Sequence, residues 1–188
     1  MKRRAILRPR DLAVHGVYRQ TLRRMVKKGM LRRFGRGLYG PVDSELSQFH
    51  SFAEACKRVP HGVICLMSAL VFHDLTTQAP FEVWMAIDRK GRQPKSDVPR
   101  MRFIRYSGAA FSEGIEEQVI EGVPVRVFSA AKTVADCFKF RNKFGRDVAI
   151  EALKDCYRRR VCSLGEIWRY AKVCRMTRVI VPYLEAID

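Results

Sequence analysis

Acidic residues are nearly missing from the start of this chain: among its first forty residues only Asp11 is negative. Long apolar runs are missing too. The longest, Val63–Phe72, is interrupted by Ser68 and is too short to span a bilayer. The opening MKRRAILRPR is basic but lacks the apolar run and small-residue cleavage site of a secretory signal. These absences predict a soluble, cytoplasmic protein with no membrane contact. The six cysteines (56, 65, 137, 156, 162 and 174) form no CxxC pair. Their scatter argues against a disulfide framework and for free thiols acting as small hydrophobes. Cys56, His61, Cys65 and His73 follow no zinc-ligand spacing. There is no glycine-rich phosphate loop and no G-x-S-x-G elbow. No cofactor, metal or catalytic residue is therefore expected.

What the chain does have is positive charge, unevenly placed. Of 188 residues with a formal net charge of +17, the first forty hold ten Arg and three Lys against one acid, a balance of +12. The other 148 carry 23 basic and 18 acidic groups, only +5. A field this concentrated, with no interleaved acids, points to a unit that meets a polyanion.

The periodicity gives that unit a shape. RPRDLAVHG starts with Pro9, suited to a first helical turn, and ends at Gly16, leaving Arg8 and Arg10 facing outward. VYRQTLRRMVKKG resumes the helical period, with Tyr18, Leu22, Met25 and Val26 on one face. Arg19, Gln20, Arg23, Arg24 and Lys27 lie on the other, and Gly29 supplies the stop. MLRRF and GLYGPV alternate around Gly35-Arg36-Gly37 as a two-stranded hairpin. Helix, turn, helix and hairpin is the order of a winged helix-turn-helix. Its aromatic residues Tyr18, Phe34 and Tyr39 are expected to pack.

From Ser44 the pattern changes, dividing the chain into units 1–43 and 44–188. SELSQFHSFAEACKRVP reads as a helix capped by Ser44. GVICLMSALVFHDL begins extended and turns helical near Ser68. FEVWMAID and RMRFIRY read as strands, and EEQVIEGVPVRVFS as a hairpin about Gly122. Residues 129–188 read as about four helices. The predicted fold is α+β: an N-terminal winged helix-turn-helix, then a mixed domain with a small β-sheet and a helical C-terminal half.

A helix fits the major groove of duplex DNA, where base edges carry a distinguishable donor and acceptor code. Arg pairs with guanine and Gln with adenine, each through two hydrogen bonds. The expected DNA-binding set is Arg10, Arg19, Gln20, Arg23, Arg24 and Lys27 on the helices, with Arg32, Arg33 and Arg36 on the hairpin. Arg36, at the tip, is placed to reach phosphate or a narrow minor groove.

LRPRDLAVHGVYRQTLRRMVKKGMLRRFGRGLYGPVD resembles the N-terminal winged-helix unit of AbiEi-family antitoxins. VPHGVICLMSALVFHDLT, PFEVWMAIDRKGRQP and VPVRVFSAAKTVADCFKFRNKFGRDVAIEAL resemble the domain that follows it in that family. The similarity runs from about Leu7 to Leu184. It implies a bacterial, nucleoid-associated repressor that binds double-stranded DNA upstream of its own toxin–antitoxin (abortive infection) operon. It also implies a nucleotidyltransferase-like toxin as partner. Family members have a further helix before LRPRDL where this chain has MKRRAI; a truncated start, the second domain or a partner would then cover the face that helix protects. Monomer and dimer on DNA stay open.

Two other readings compete. The basic unit could dock on an acidic protein without DNA specificity. Glu82, Asp88 and Lys90, near the ends of FEVWMAIDRK, could serve a metal-dependent nuclease. His73-Asp74 cannot form a relay, because adjacent helical residues point apart. In SAAKTVADCFKF, Lys132 and Asp136 read as an i,i+4 pair on the exposed side of a helix.

Overall fold

Pro9–Ala13 forms α1 and Arg19–Lys27 forms α2, followed by an antiparallel hairpin of β1 (Leu31–Gly35) and β2 (Leu38–Pro41). The computed structural model describes residues 6–13, 15–35, 37–42, 46–94 and 99–187. Asp11 stabilises the start of α1 by accepting from the Arg8 amide at 3.2 Å. α2 ends in a Schellman motif: Gly29, at φ +68°, donates to Val26 O, and Met30 donates to Met25 O.

The remaining chain builds one five-stranded sheet. Its strands are β3 (Val63–Ile64), β4 (Val83–Asp88), β5 (Met101–Tyr106), β6 (Ile115–Ile120) and β7 (Val123–Phe128), in the order β5-β4-β3-β7-β6. The pairs β4–β5 and β3–β7 are parallel, while β3–β4 and β6–β7 are antiparallel. The fold is α+β with a mixed sheet. The β6–β7 turn is made by Glu121 and Gly122, at φ +51° and +75°, the two positive values a tight hairpin turn with matching twist requires.

Strand alternation divides the core in two. Trp84 and Ala86 of β4, with Ile104 and Tyr106 of β5, face one side; Val83, Met85 and Ile87 face the other. The first side is covered by α4 (Leu66–Phe72), α6 (Ala130–Lys139), α8 (Arg146–Arg158), α9 (Leu164–Val173) and α10 (Thr177–Glu185). The second is covered by α3 (His50–Arg58) through Phe52, Ala53 and Cys56, with Val59 just beyond it, joined by Ile6 and Leu38 of the N-terminal segment. The short α5 (Ala109–Ser112) connects β5 and β6, and α7 (Arg141–Phe144) follows α6 as a separate short helix.

Three expectations are corrected. The helix expected from Ser44 begins at His50; Ser44 itself lies outside the described residues. The approach to α3 is held instead by Glu121, whose carboxylate accepts from the Ser47 amide at 2.8 Å and contacts His50 Nδ1 at 2.7 Å. Lys132 and Asp136 do pair at i,i+4, at 2.5 Å, but both are fully buried. The α6 face that carries them lies beneath α9, and Cys174, just beyond α9, sends its thiol to Asp136 Oδ1 at 3.0 Å. The Tyr106 hydroxyl donates to Asp136 Oδ2 at 3.1 Å. Burial, and then Asp136, pushes the Cys174 thiol up to about 12, so it stays protonated and donates. Finally, Cys156 and Cys162 are joined in a disulfide, with Cα atoms 5.9 Å apart, across the turn between α8 and α9. Cys56, Cys65, Cys137 and Cys174 are free and buried.

Candidate nucleic-acid interface

α2 turns its basic face outward because a single residue anchors it. Leu22 is fully buried, while Thr21, Met25 and Val26 are half-buried beside it. Arg19, Gln20, Arg23, Arg24 and Lys27 are all exposed, and Lys28 extends the row. Arg19, Arg23 and Lys27 follow one i,i+4 spine on a helix about 13 Å long. Asp11, the acid of this segment, is taken up elsewhere: its carboxylate meets Lys57 at 2.6 Å and Arg10 at 3.8 Å. The α2 cations have no ion-pair partner among the described residues.

The helix start adds to the imbalance. α2 has no acid in its first turn and no side-chain hydrogen bond at its cap. Its positive dipole end therefore points at Arg19 rather than at a compensating carboxylate. An external anion would relieve both the like-charge repulsion and the open amides.

The hairpin carries the next cations. Arg32 and Arg33 are exposed on opposite faces of β1. The Arg32 guanidinium lies 5.9 Å from the Phe34 ring, which packs edge-on against His50. Arg33 Nε donates to Gly35 O at 3.1 Å, beside an irregularity in the β1–β2 register. These contacts orient both side chains without neutralising them. Arg36 lies outside the described residues. Arg10 is 69% exposed on α1, loosely held by Asp11. Of the expected set, Arg19, Gln20, Arg23, Arg24 and Lys27 are exposed on α2, Arg32 and Arg33 on β1, and Arg10 on α1.

Two placements differ from expectation. Tyr18, expected to pack, is 69% exposed. It caps α2 with extended backbone, so its side chain falls outside the helical period that buries Leu22. Arg8, expected to face outward, is half-buried, and desolvation followed by Arg10 lowers the pKa of its guanidinium. Tyr39 is buried and Phe34 half-buried, as expected. Tyr18 and Lys28 join the exposed face although sequence patterning did not select them. The visible signal for Lys28 was its place in the Arg-Arg-Met-Val-Lys-Lys run.

The nuclease residues do not converge. Glu82 precedes β4 and pairs with Arg102, while Asp88 ends the strand and accepts from the Lys90 amide at 2.8 Å. A six-residue strand holds the two carboxylates roughly 17–20 Å apart. His73 is occupied in the fold, its Nε2 lying 2.7 Å from Phe128 O. No group of three or more His, Cys, Asp or Glu able to hold a metal occurs among the described residues. No helix among them is long and apolar enough to cross a membrane.

Residues 2–42, the segment that carries this basic face, match the model of a family described as transcriptional regulator, AbiEi antitoxin. The match covers this N-terminal segment, and it is a similarity of that segment alone. Among curated proteins nothing matches the chain. In fold it is similar to the crystal structure of the RV2827C protein from Mycobacterium tuberculosis, with a TM-score of 0.63 at 14% identity. The likeness covers 91% of this chain and 67% of that one, and at this identity it speaks for the fold alone. The stretch matched by the family model and the basic α2 face therefore coincide in sequence.

Proposed function

We propose that this protein is a sequence-specific DNA-binding repressor, the AbiEi-type antitoxin of a toxin–antitoxin operon whose promoter it autoregulates. Residues 1–43 act as a winged helix-turn-helix, with α2 as the recognition helix and the β1–β2 hairpin as the wing. Residues 44–188 supply the antitoxin or partner function, toward a nucleotidyltransferase-like toxin. The protein works in the cytoplasm, on the nucleoid.

The observation that carries this reading is the row of exposed, unpaired cations on α2, within the segment matched by the AbiEi family. Phosphates are the anion this face lacks, and their neutralisation releases counterions from the duplex. Arg19, Gln20 and Arg23 sit toward the helix N-terminus, the end that approaches base edges. Arg24, Lys27, Arg32 and Arg33 flank them at positions suited to backbone phosphates. Arg36 and Arg10 complete the contact from the wing tip and from α1.

Gel-shift titration of the duplex upstream of the gene tests this reading. Replacing Arg23 by alanine costs about 1–3 kcal/mol on that duplex, about 5- to 150-fold, and relaxes the preference over other duplexes. Replacing Lys154, an exposed lysine of α8, leaves binding unchanged. Equal effects from the two replacements contradict the assignment of α2. A preference for an acidic protein over any duplex would place the α2 face at a protein interface instead.

A further inference from the structure

The two edges of the five-stranded sheet carry opposite charge. From Arg89 to Arg105, the β4–β5 loop and β5 hold seven basic residues against the single acid Asp97. From Tyr106 to Val125, a stretch that includes β6, there are four glutamates and no basic residue. No strand among the described residues pairs with the outer side of β5 or of β6.

We propose that these edges join copies of this chain head to tail, β5 of one copy against β6 of the next. Both strands are six residues long. They also run in the same direction: β5 is parallel to β4, β4 antiparallel to β3, β3 parallel to β7, and β7 antiparallel to β6. A neighbouring copy set beside the first therefore adds a parallel pair and continues the sheet.

Side-chain faces agree with that junction. Arg102 lies on the α6 side of β5, as do Ile104 and Tyr106. Glu117 lies on that same side of β6, two residues from Ile115, which packs there. Arg105 and Glu116 both lie on the α3 side. Arg102 is held at the edge by Glu82 and by the Trp84 ring, 4.3 Å from its guanidinium. Arg105 is held by the carbonyls of Arg89 and Gly91. Both remain exposed, and Glu116 and Glu117 have no ion-pair partner among the described residues. Val119, 74% exposed on β6, adds an apolar contact to the same edge.

Like charge on each edge opposes the symmetric β5–β5 and β6–β6 pairings through which exposed strands ordinarily aggregate. Opposite charge favours only the unlike pairing, which is heterologous and can repeat. Such an interface suits copies placed side by side along a repeated site. It rests on the sheet alone, so it stands or falls separately from DNA recognition by α2.

Sedimentation velocity of the full chain without DNA, over a concentration and salt series, tests the proposal. The wild type self-associates at low salt and dissociates as salt screens the edges. Arg102→Glu/Arg105→Glu, with both edge strands acidic, and Glu116→Lys/Glu117→Lys, with both edge strands basic, each associate at least about tenfold more weakly. Mixing the two variants restores association, which also shows that both are folded. Hydrogen exchange of the wild type slows at residues 101–106 and 115–120 as concentration rises. A monomeric wild type at low salt, or a mixture that fails to associate, overturns the proposal. So does a basic-edge variant that loses duplex affinity without any change in association, which would assign that edge to nucleic acid.

Discussion

Replacing Lys132 by methionine should be among the most damaging single changes in this protein, although the pair it breaks looks like an ordinary helix-surface ion pair. Lys132 and Asp136 are both 0% exposed, with Nζ 2.5 Å from Oδ2. The ammonium lies 4.2 Å from the Phe128 ring and 5.0 Å from that of Tyr106, in a site with little room for water. Removing one partner of a buried pair leaves a desolvated charge and costs about 3–5 kcal/mol. Against a total stability of about 5–15 kcal/mol, that is a large fraction. At about 2–4 °C per kcal/mol for a chain of this size, Tm falls by about 6–20 °C. Removing both charges together, as Lys132→Met/Asp136→Leu, recovers much of the loss. What it leaves is a Tyr106 hydroxyl and a Cys174 thiol without their acceptor, about 1–3 kcal/mol for the hydroxyl. Adding Tyr106→Phe recovers most of that remainder. Urea unfolding followed by circular dichroism measures the wild type, these three variants and Asp136→Leu alone. A Lys132→Met cost under about 1 kcal/mol, or single-variant costs that simply add in the double variant, would refute the buried pair.

Three further outcomes follow from other parts of the fold. Gly114→Ala destabilises by more than about 2 kcal/mol in the same assay, since Gly114 sits at φ +71° and an added Cβ would lie 2.8 Å from Lys132 Cβ. Thiol titration of the denatured, unreduced protein gives four groups rather than six, because Cys156 and Cys162 are joined. Burial alone would raise the pKa of Asp11, but hydrogen bonding and attraction from Lys57 overcome it and hold the carboxyl below its ordinary 3.8. The stability this contributes is present in full above pH 3.8 and is lost as pH falls through the lower folded value. Acid unfolding of Asp11→Asn therefore lacks that component, whereas equal acid sensitivity in variant and wild type contradicts the contact.

Much of this was legible in the residues because its determinants are local. A short apolar run gave β4, alternation gave the β6–β7 hairpin, and the Gly122 between its two runs marked the turn. The α2 face could be read because Gln20, Arg24 and Lys27 sit across the helical wheel from Leu22, Met25 and Val26, with Arg19 and Arg23 at the flank, whatever α2 packs against. What escaped depended on distant chain. An i,i+4 Lys–Asp pair has the same spacing exposed or buried, and only α9 and Cys174 decide which it is. The start of α3 is set by Glu121, more than seventy residues away. Cys156 and Cys162 meet because the α8–α9 turn reverses the chain between them, a turn their spacing does not announce. Tyr18 was read into the helical period although its cap backbone removes it from that face.

The basic α2 face is where local and global determinants agree most closely, since charge, helical phase and family match coincide in residues 2–42. The most direct test of its role is fluorescence anisotropy of the full chain on the duplex upstream of its own gene. A scrambled duplex of equal composition is measured alongside it across a salt series. A repressor that reads bases through α2 keeps tight binding to the native duplex at physiological salt while the scrambled one is lost. Binding that is equal on the two duplexes and vanishes together with rising salt would contradict it, and would leave α2 as a face for polyanions of any sequence.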